Sequence, residues 1–171
     1  MGELSHLLPD FAQIVRITSR LLAALAVGTA IGLQRELTHK SAGLRTHMLV
    51  ALGTALFVVG AAESGTSVES LGRVIQGIAT GIGFLGGGAI LKLTDQREVH
   101  GLTTAAGIWM TAAASATAGL GQIAVAIIGT VFALVVLILF RSLERRLGSH
   151  ARADGENHHH PPVSPTPKDD S

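Results

Sequence analysis

The chain has 171 residues, enough for one domain, with 47% hydrophobic and only 15% charged residues, where soluble domains carry roughly 25% charged. A net charge of +1, an aromatic content of 4% and no tyrosine leave no broad basic, aromatic-bearing surface for nucleic acid. The absence of cysteine excludes thiolate catalysis, disulfides and Cys-based metal sites.

The charges that exist are confined. No ionisable side chain lies between Val74 and Leu91, nor between Leu102 and Phe140. A soluble helix needs a polar face, so apolar segments of this length point to lipid. The first predicted helix runs from about Phe11 to Leu33, with Arg16 and Arg20 one turn apart and able to snorkel toward headgroups. Ala24-Leu25-Ala26 mimics a signal-peptide cleavage site, but the leader lacks a compact basic start and the downstream residues are themselves membrane-like, so a retained helix is expected. The second helix is expected over about Thr46 to Ala62 and the third over about Val74 to Leu91. The fourth spans about Leu102 to Gly119 and the fifth about Ile123 to Phe140. Each is near the roughly 17–25 residues that cross a bilayer. Gly119-Leu120-Gly121-Gln122 is a tight turn that makes the last two helices antiparallel neighbours.

The expected fold is therefore all-α, an integral membrane bundle of about five transmembrane helices. It comprises an N-terminal segment (1–10), a transmembrane domain (11–146) and a disordered cytoplasmic tail (147–171), rich in Gly, Pro, Ser, Asp and His. Lys and Arg placement sets the orientation. Arg35, Lys40, Arg45, Lys92, Arg97, Arg141, Arg145, Arg146 and Arg152 fall on one side, against Arg16, Arg20 and Arg73 on the other. Nine against three places the N-terminus outside and the C-terminus in the cytoplasm, as a multi-pass protein.

Three motif clusters meet at the cytoplasmic ends in this topology. They are Gly32-Leu33-Gln34-Arg35-Glu36 with Lys40 to His47, Gly81-Ile82-Gly83-Phe84-Leu85-Gly86-Gly87-Gly88, and Gly101-Leu102-Thr103-Thr104-Ala105-Ala106 leading to Trp109. Gly81, Gly83 and Gly86 have the spacing of a dinucleotide fingerprint, but no strand precedes them and no acidic residue stands at the required distance downstream. Gly28/Gly32, Gly77/Gly81 and Gly83/Gly87 are small-xxx-small pairs suited to close helix packing. A second reading of Gly86-Gly87-Gly88 is a local break, which would expose backbone carbonyls and amides as in many membrane ion sites. Among the charges, Glu36 is expected to pair with Arg35, Lys40 or Arg45. Thr46 is suited to cap the second helix, and Thr103 and Thr104 to cap the fourth or to bond across helices. The candidate functional cluster is thus Arg35, Glu36, Lys40, Arg45, Thr46, Gly86, Gly87, Gly88, Thr103 and Thr104.

None of the twelve acidic residues falls in the middle of an expected helix, so no carboxylate relay crosses the membrane. A magnesium carrier needs oxygen ligands, usually carboxylates with water. Backbone carbonyls could serve, and whether Mg²⁺ or another metal binds stays open. His158-His159-His160 beside Pro161-Pro162 reads as part of a tail rather than a metal site. No set of Ser, His and Asp resembles a catalytic arrangement, so no enzymatic activity and no cofactor are expected.

These clusters resemble the MgtC/SapB family of bacterial membrane proteins. The likeness rests on Gly32 to Glu36, Lys40 to His47, Gly81 to Gly88 and Gly101 to Trp109, and extends over about Leu21 to Arg141. It implies a five-helix domain in the bacterial inner membrane, linked to magnesium homeostasis, ion homeostasis and virulence. Two functional classes are implied by it: a transporter of Mg²⁺ or another cation, and a modulator that binds other membrane machinery, the F-type ATP synthase among it. The missing intramembrane carboxylates favour the modulator. Lipid bilayer and other membrane proteins are the expected partners, a homo-oligomer is compatible with either class, and nucleic acid is not expected. The chain departs from the family at Gln34, where an acidic residue is usual. A further departure is the short tail, which replaces the cytoplasmic α/β domain of longer members.

Overall fold

The structure, a computed structural model, describes residues 10–92 and 99–155. Among these residues there are five helices: α1 (Phe11–Leu37), α2 (Leu44–Glu63), α3 (Val68–Gly88), α4 (Leu102–Gly119) and α5 (Ile123–Gly155). A two-residue antiparallel ladder, β1 (Leu91–Lys92) with β2 (Val99–His100), pairs Leu91 with His100 and Lys92 with Val99 across the α3–α4 connection. No proline lies between Pro9 and Pro161, so nothing removes a ladder hydrogen bond inside these helices. Thr29, Thr80, Thr111 and Thr130 each donate a hydroxyl to the carbonyl four residues back. Polar side chains on apolar helices are thereby satisfied within their own turn.

By length and composition α1, α2 and the segment Ile123–Phe140 of α5 are able to cross a membrane. Helix α4 has a different composition because it has a different neighbour. Built largely of Ala, Thr, Ser and Gly, it packs on α1, α2 and α3. Thr104, Gly107, Thr111, Ala112, Ser115 and Gly119 are among its buried positions. Small residues let backbones approach, so α4 is the axis of the bundle and needs no lipid-like surface.

Glycine sets the closest crossings. A Cβ on Gly28 would come within 2.7 Å of the Ala51 Cβ and the His47 carbonyl oxygen, and one on Gly32 within 2.9 Å of Leu44 Cα. Helix α1 therefore lies directly on the backbone of α2. Further along α2, a Cβ on Gly119 of α4 would stand 3.2 Å from the Ala55 carbonyl oxygen. The expected packing role holds for Gly28/Gly32 but not for Gly77, Gly81, Gly83 and Gly87, where a Cβ would meet nothing within 4 Å. Helix α3 sits more closely on α4 than on α2, with Ile82 seated against Ile108, Ala112 and Ala42.

Several boundaries differ from the expected ones for physical reasons. Helix α1 passes Leu33 and ends at Leu37, so Gln34, Arg35 and Glu36 belong to its last turns rather than to a loop. The stop comes where Lys40 N–H bonds to the Arg35 carbonyl and His39 N–H to that of Glu36, with His39 at φ 53°, a Schellman ending. Helix α3 starts at Val68, because the Ser67 hydroxyl accepts the Ser70 amide and caps it. It is not interrupted at Gly86-Gly87-Gly88. These glycines form its last turn, and the chain leaves the helix at Ala89 instead of continuing to Leu91. The α4–α5 turn is as expected. Gln122 N–H bonds to Thr117 and Gly121 N–H to Ala118, with Gly121 at φ +83°, a second Schellman ending that requires glycine.

Arg16 and Arg20 do more than snorkel. Arg16 pairs with Glu63 at 2.9 Å, Arg20 lies 3.6 Å from the same carboxylate, and Gln13 donates to it at 2.9 Å. This cluster ties the start of α1 to the end of α2.

The molecule divides into two compact units, the first ending at Val135 and the second beginning at Val136. The second contains the remainder of α5, which stays helical through Arg146 to Gly155. The helix formers Leu143, Glu144, Arg145, Arg146 and Leu147 account for this extension into the expected tail. Residues 156–171, including the three consecutive histidines, lie outside the described residues.

Candidate functional site

The end of α1 and the starts of α2 and α4 converge as the spacing indicates, but the side chains that meet are only partly those expected. Arg35 is buried, 2% exposed, and its Nη2 donates to the Thr104 hydroxyl at 2.8 Å. Thr104 thus bonds across helices and does not cap α4, whose N-cap is Gly101 at φ +98°. One turn deeper on α2, His47 is fully buried, with Nδ1 2.8 Å from the Thr111 hydroxyl. Thr111 is itself fully buried and donates to the Gly107 carbonyl at 2.9 Å.

Glycines make room for this centre on both sides. A Cβ on Gly32 would stand 3.0 Å from the Cβ of His47, and one on Gly107 would lie 3.5 Å from its ring carbon Cε1 and 3.9 Å from Arg35 Nε. Helices α1, α2 and α4 therefore enclose a polar centre within an otherwise apolar bundle. Intramembrane polar groups are costly unless paired, so such a centre marks either a functional site or a fixed helix register.

Glu36, next to Arg35 but on an exposed face, performs a different task. Its Oε2 accepts the Leu44 amide at 2.9 Å, at the first residue of α2. A Cβ on Gly43 would overlap this carboxylate. A negative charge at a helix N-terminus satisfies an orphan N–H and complements the helix dipole. Glu36 caps α2 from α1, in the role expected of Thr46.

Lys40, Arg45, Thr46 and Thr103 are all exposed and join neither group. Of the triple glycine, Gly86 faces Ala105, whose Cβ would lie 3.5 Å from a Cβ built there, while Gly87 and Gly88 border open space. The sequence reading missed Gly107, Thr111 and Ser115, and placed His47 among loop charges. A signal was present in Thr104, Gly107, Thr111 and Ser115, which recur at helical spacing along one face of an alanine-rich helix. Among the described residues no group of three His, Asp or Glu side chains is placed to hold a metal ion.

The MgtC family profile matches residues 21–146, which includes α1 from Leu21, the polar centre and α5 through Arg146. The chain belongs to the MgtC family. Its membership and its three long apolar helices make it a membrane protein. It is similar to the protein SrpB of Synechococcus elongatus, with 44% identity over 140 residues, 75% of this chain and 77% of that protein. It is 42% identical to the putative magnesium transporter YhiD of Escherichia coli K12 over 134 residues, 74% of this chain and 61% of YhiD. To the protein MgtC of Salmonella typhimurium LT2 it is 38% identical over 152 residues, 88% of this chain and 64% of that MgtC. The chain thus spans less than two thirds of YhiD and of this MgtC. No solved structure matches it.

Proposed function

We propose that this MgtC-family chain is a bacterial inner-membrane protein of magnesium homeostasis that acts by docking on other membrane proteins. The observation that carries this reading is a groove of about 710 Å³ between α2 and α3. Leu49, Gly53 and Phe57 of α2 and Gly77, Gly81 and Leu85 of α3 line it, and a Cβ on any of the three glycines would meet nothing within 4 Å. Association of helices in lipid depends on close packing, and small residues four apart permit it. The Gly77/Gly81 pair is unused inside the bundle, so its small-residue edge is available to a transmembrane helix of a partner. The F-type ATP synthase, which the family resemblance names, is the first partner to test. The proposed orientation keeps the N-terminus outside and the polar centre toward the cytoplasm.

The name of the relative YhiD favours a second reading, magnesium transport. Against it stands the sequence of the three long apolar segments, in which no acidic residue falls away from the ends to ligate a divalent ion.

The partner reading is tested by placing a photo-crosslinking side chain at Gly81 in the full chain in native membranes. The expected product is a covalent adduct with a defined membrane protein, lost when Gly77→Leu fills the groove. Adducts with lipid alone would contradict the reading.

A further inference from the structure

A threonine in an apolar helix can satisfy its hydroxyl within its own turn. Thr29, Thr80, Thr111 and Thr130 do so, each donating to the carbonyl four residues back. Thr54 does not. Its hydroxyl makes no hydrogen bond with any described residue, although Thr54 is only 4% exposed. Nor is its oxygen sealed inside the bundle. The surface it reaches is the groove between α2 and α3, where Thr54 is the one polar side chain among the lining residues.

The position is central. Thr54 stands midway along α2, and Gly77 and Gly81 stand midway along α3. Gly53, Gly77 and Gly81 have open space where a Cβ would be, so a helix resting on them comes close to the hydroxyl. Lipid tails offer that hydroxyl no partner, and a polar group left unpaired in hydrocarbon is costly.

We propose that the groove receives a transmembrane helix carrying a carboxamide side chain, Asn or Gln, that bonds to the Thr54 hydroxyl. The inference rests on the docking reading above and names the chemistry of the partner. A hydroxyl donates one hydrogen and accepts at its oxygen. A carboxamide answers both, with a carbonyl oxygen and an N–H. A charged side chain would first have to be desolvated. A partner Ser or Thr has a carbonyl of its own helix to bond, as the four threonines above do. The glycines thus admit a helix, and Thr54 selects among helices by their polar group.

The test uses two synthetic transmembrane helices of leucine and alanine with glycines four apart, alike except for Asn or Ala on the glycine face. Binding is read by energy transfer to the labelled full chain in lipid vesicles. The Asn helix is expected to bind about three- to twentyfold more tightly, the range of one interhelical hydrogen bond in lipid. Thr54→Ser keeps this preference and Thr54→Val removes it. Thr54→Val should leave the melting temperature of the chain alone unchanged, because it breaks no bond within the bundle. A lowered melting temperature would put the hydroxyl's partner inside the chain and overturn the proposal. So would equal binding of the two helices, binding by neither, or a preference that survives in Thr54→Val. The docking reading is decided separately by the Gly81 adducts, and it stands if those form while the two helices bind alike.

Discussion

The carboxylate of Glu36 accepts the amide hydrogen of Leu44 at 2.9 Å, so the last turn of α1 caps the first turn of α2. The cap is built by two positions at once. Glu36 supplies the charge, and Gly43 supplies the space it occupies. Replacing Glu36 by Ala is expected to cost about 1 kcal/mol, the usual scale of a lost N-cap. Gly43→Ala should cost a similar amount by displacing the same carboxylate. Because both act through one contact, the double variant should be little worse than either single one. Unfolding of the purified variants in detergent measures this directly, and full additivity would show that the cap is not shared.

The glycine contacts divide into tight and open positions. Gly28→Ala brings a Cβ within 2.7 Å of the Ala51 Cβ and the His47 carbonyl oxygen, and overpacking of this kind costs about 1–3 kcal/mol. Gly83→Ala, at a position with open space around it, should leave stability unchanged or slightly raised, since alanine is the better helix former. Thermal melts of the two variants should separate clearly. Equal melting temperatures would mean that α1 and α2 do not cross at Gly28.

Thr111 holds the buried imidazole of His47 at 2.8 Å. Thr111→Val keeps the shape and removes the hydroxyl, leaving the buried Nδ1 without its partner at a cost of about 1–3 kcal/mol. Thr111→Ser keeps the hydroxyl and should retain most of the stability. If valine were tolerated as well as serine, the bond would contribute nothing to the fold.

Much of this architecture is legible in the sequence. The charge-free stretches reveal the apolar helices, and Leu102 to Gly119 is bounded by glycine at Gly101 and Gly121, so both ends of α4 show. The start of α3 is hidden because its first turns carry Glu69 and Arg73 and look like a loop until the Ser67 cap is recognised. The end of α1 is hidden for the same reason, as Arg35 and Glu36 resemble loop charges while they complete a helix. The polar centre is half legible. Arg35 and Thr104 stand in recognisable clusters, but His47 and Thr111 are 64 positions apart, and only the crossing of α2 with α4 brings them together. Lys40, Arg45, Thr46 and Thr103 share the same end of the bundle without sharing the site, because proximity along the chain does not decide which face of a helix is buried.

The central claim is that the chain acts on other membrane proteins and does not itself carry magnesium. Its most direct test is Mg²⁺ uptake into vesicles containing the purified, inserted full chain, beside a Glu36→Ala, Arg45→Ala double variant. The account predicts that neither preparation shows saturable uptake above empty vesicles. Saturable uptake by the unmodified chain that disappears in the double variant would contradict it, and would make the end of α1 and the start of α2 part of a transport route.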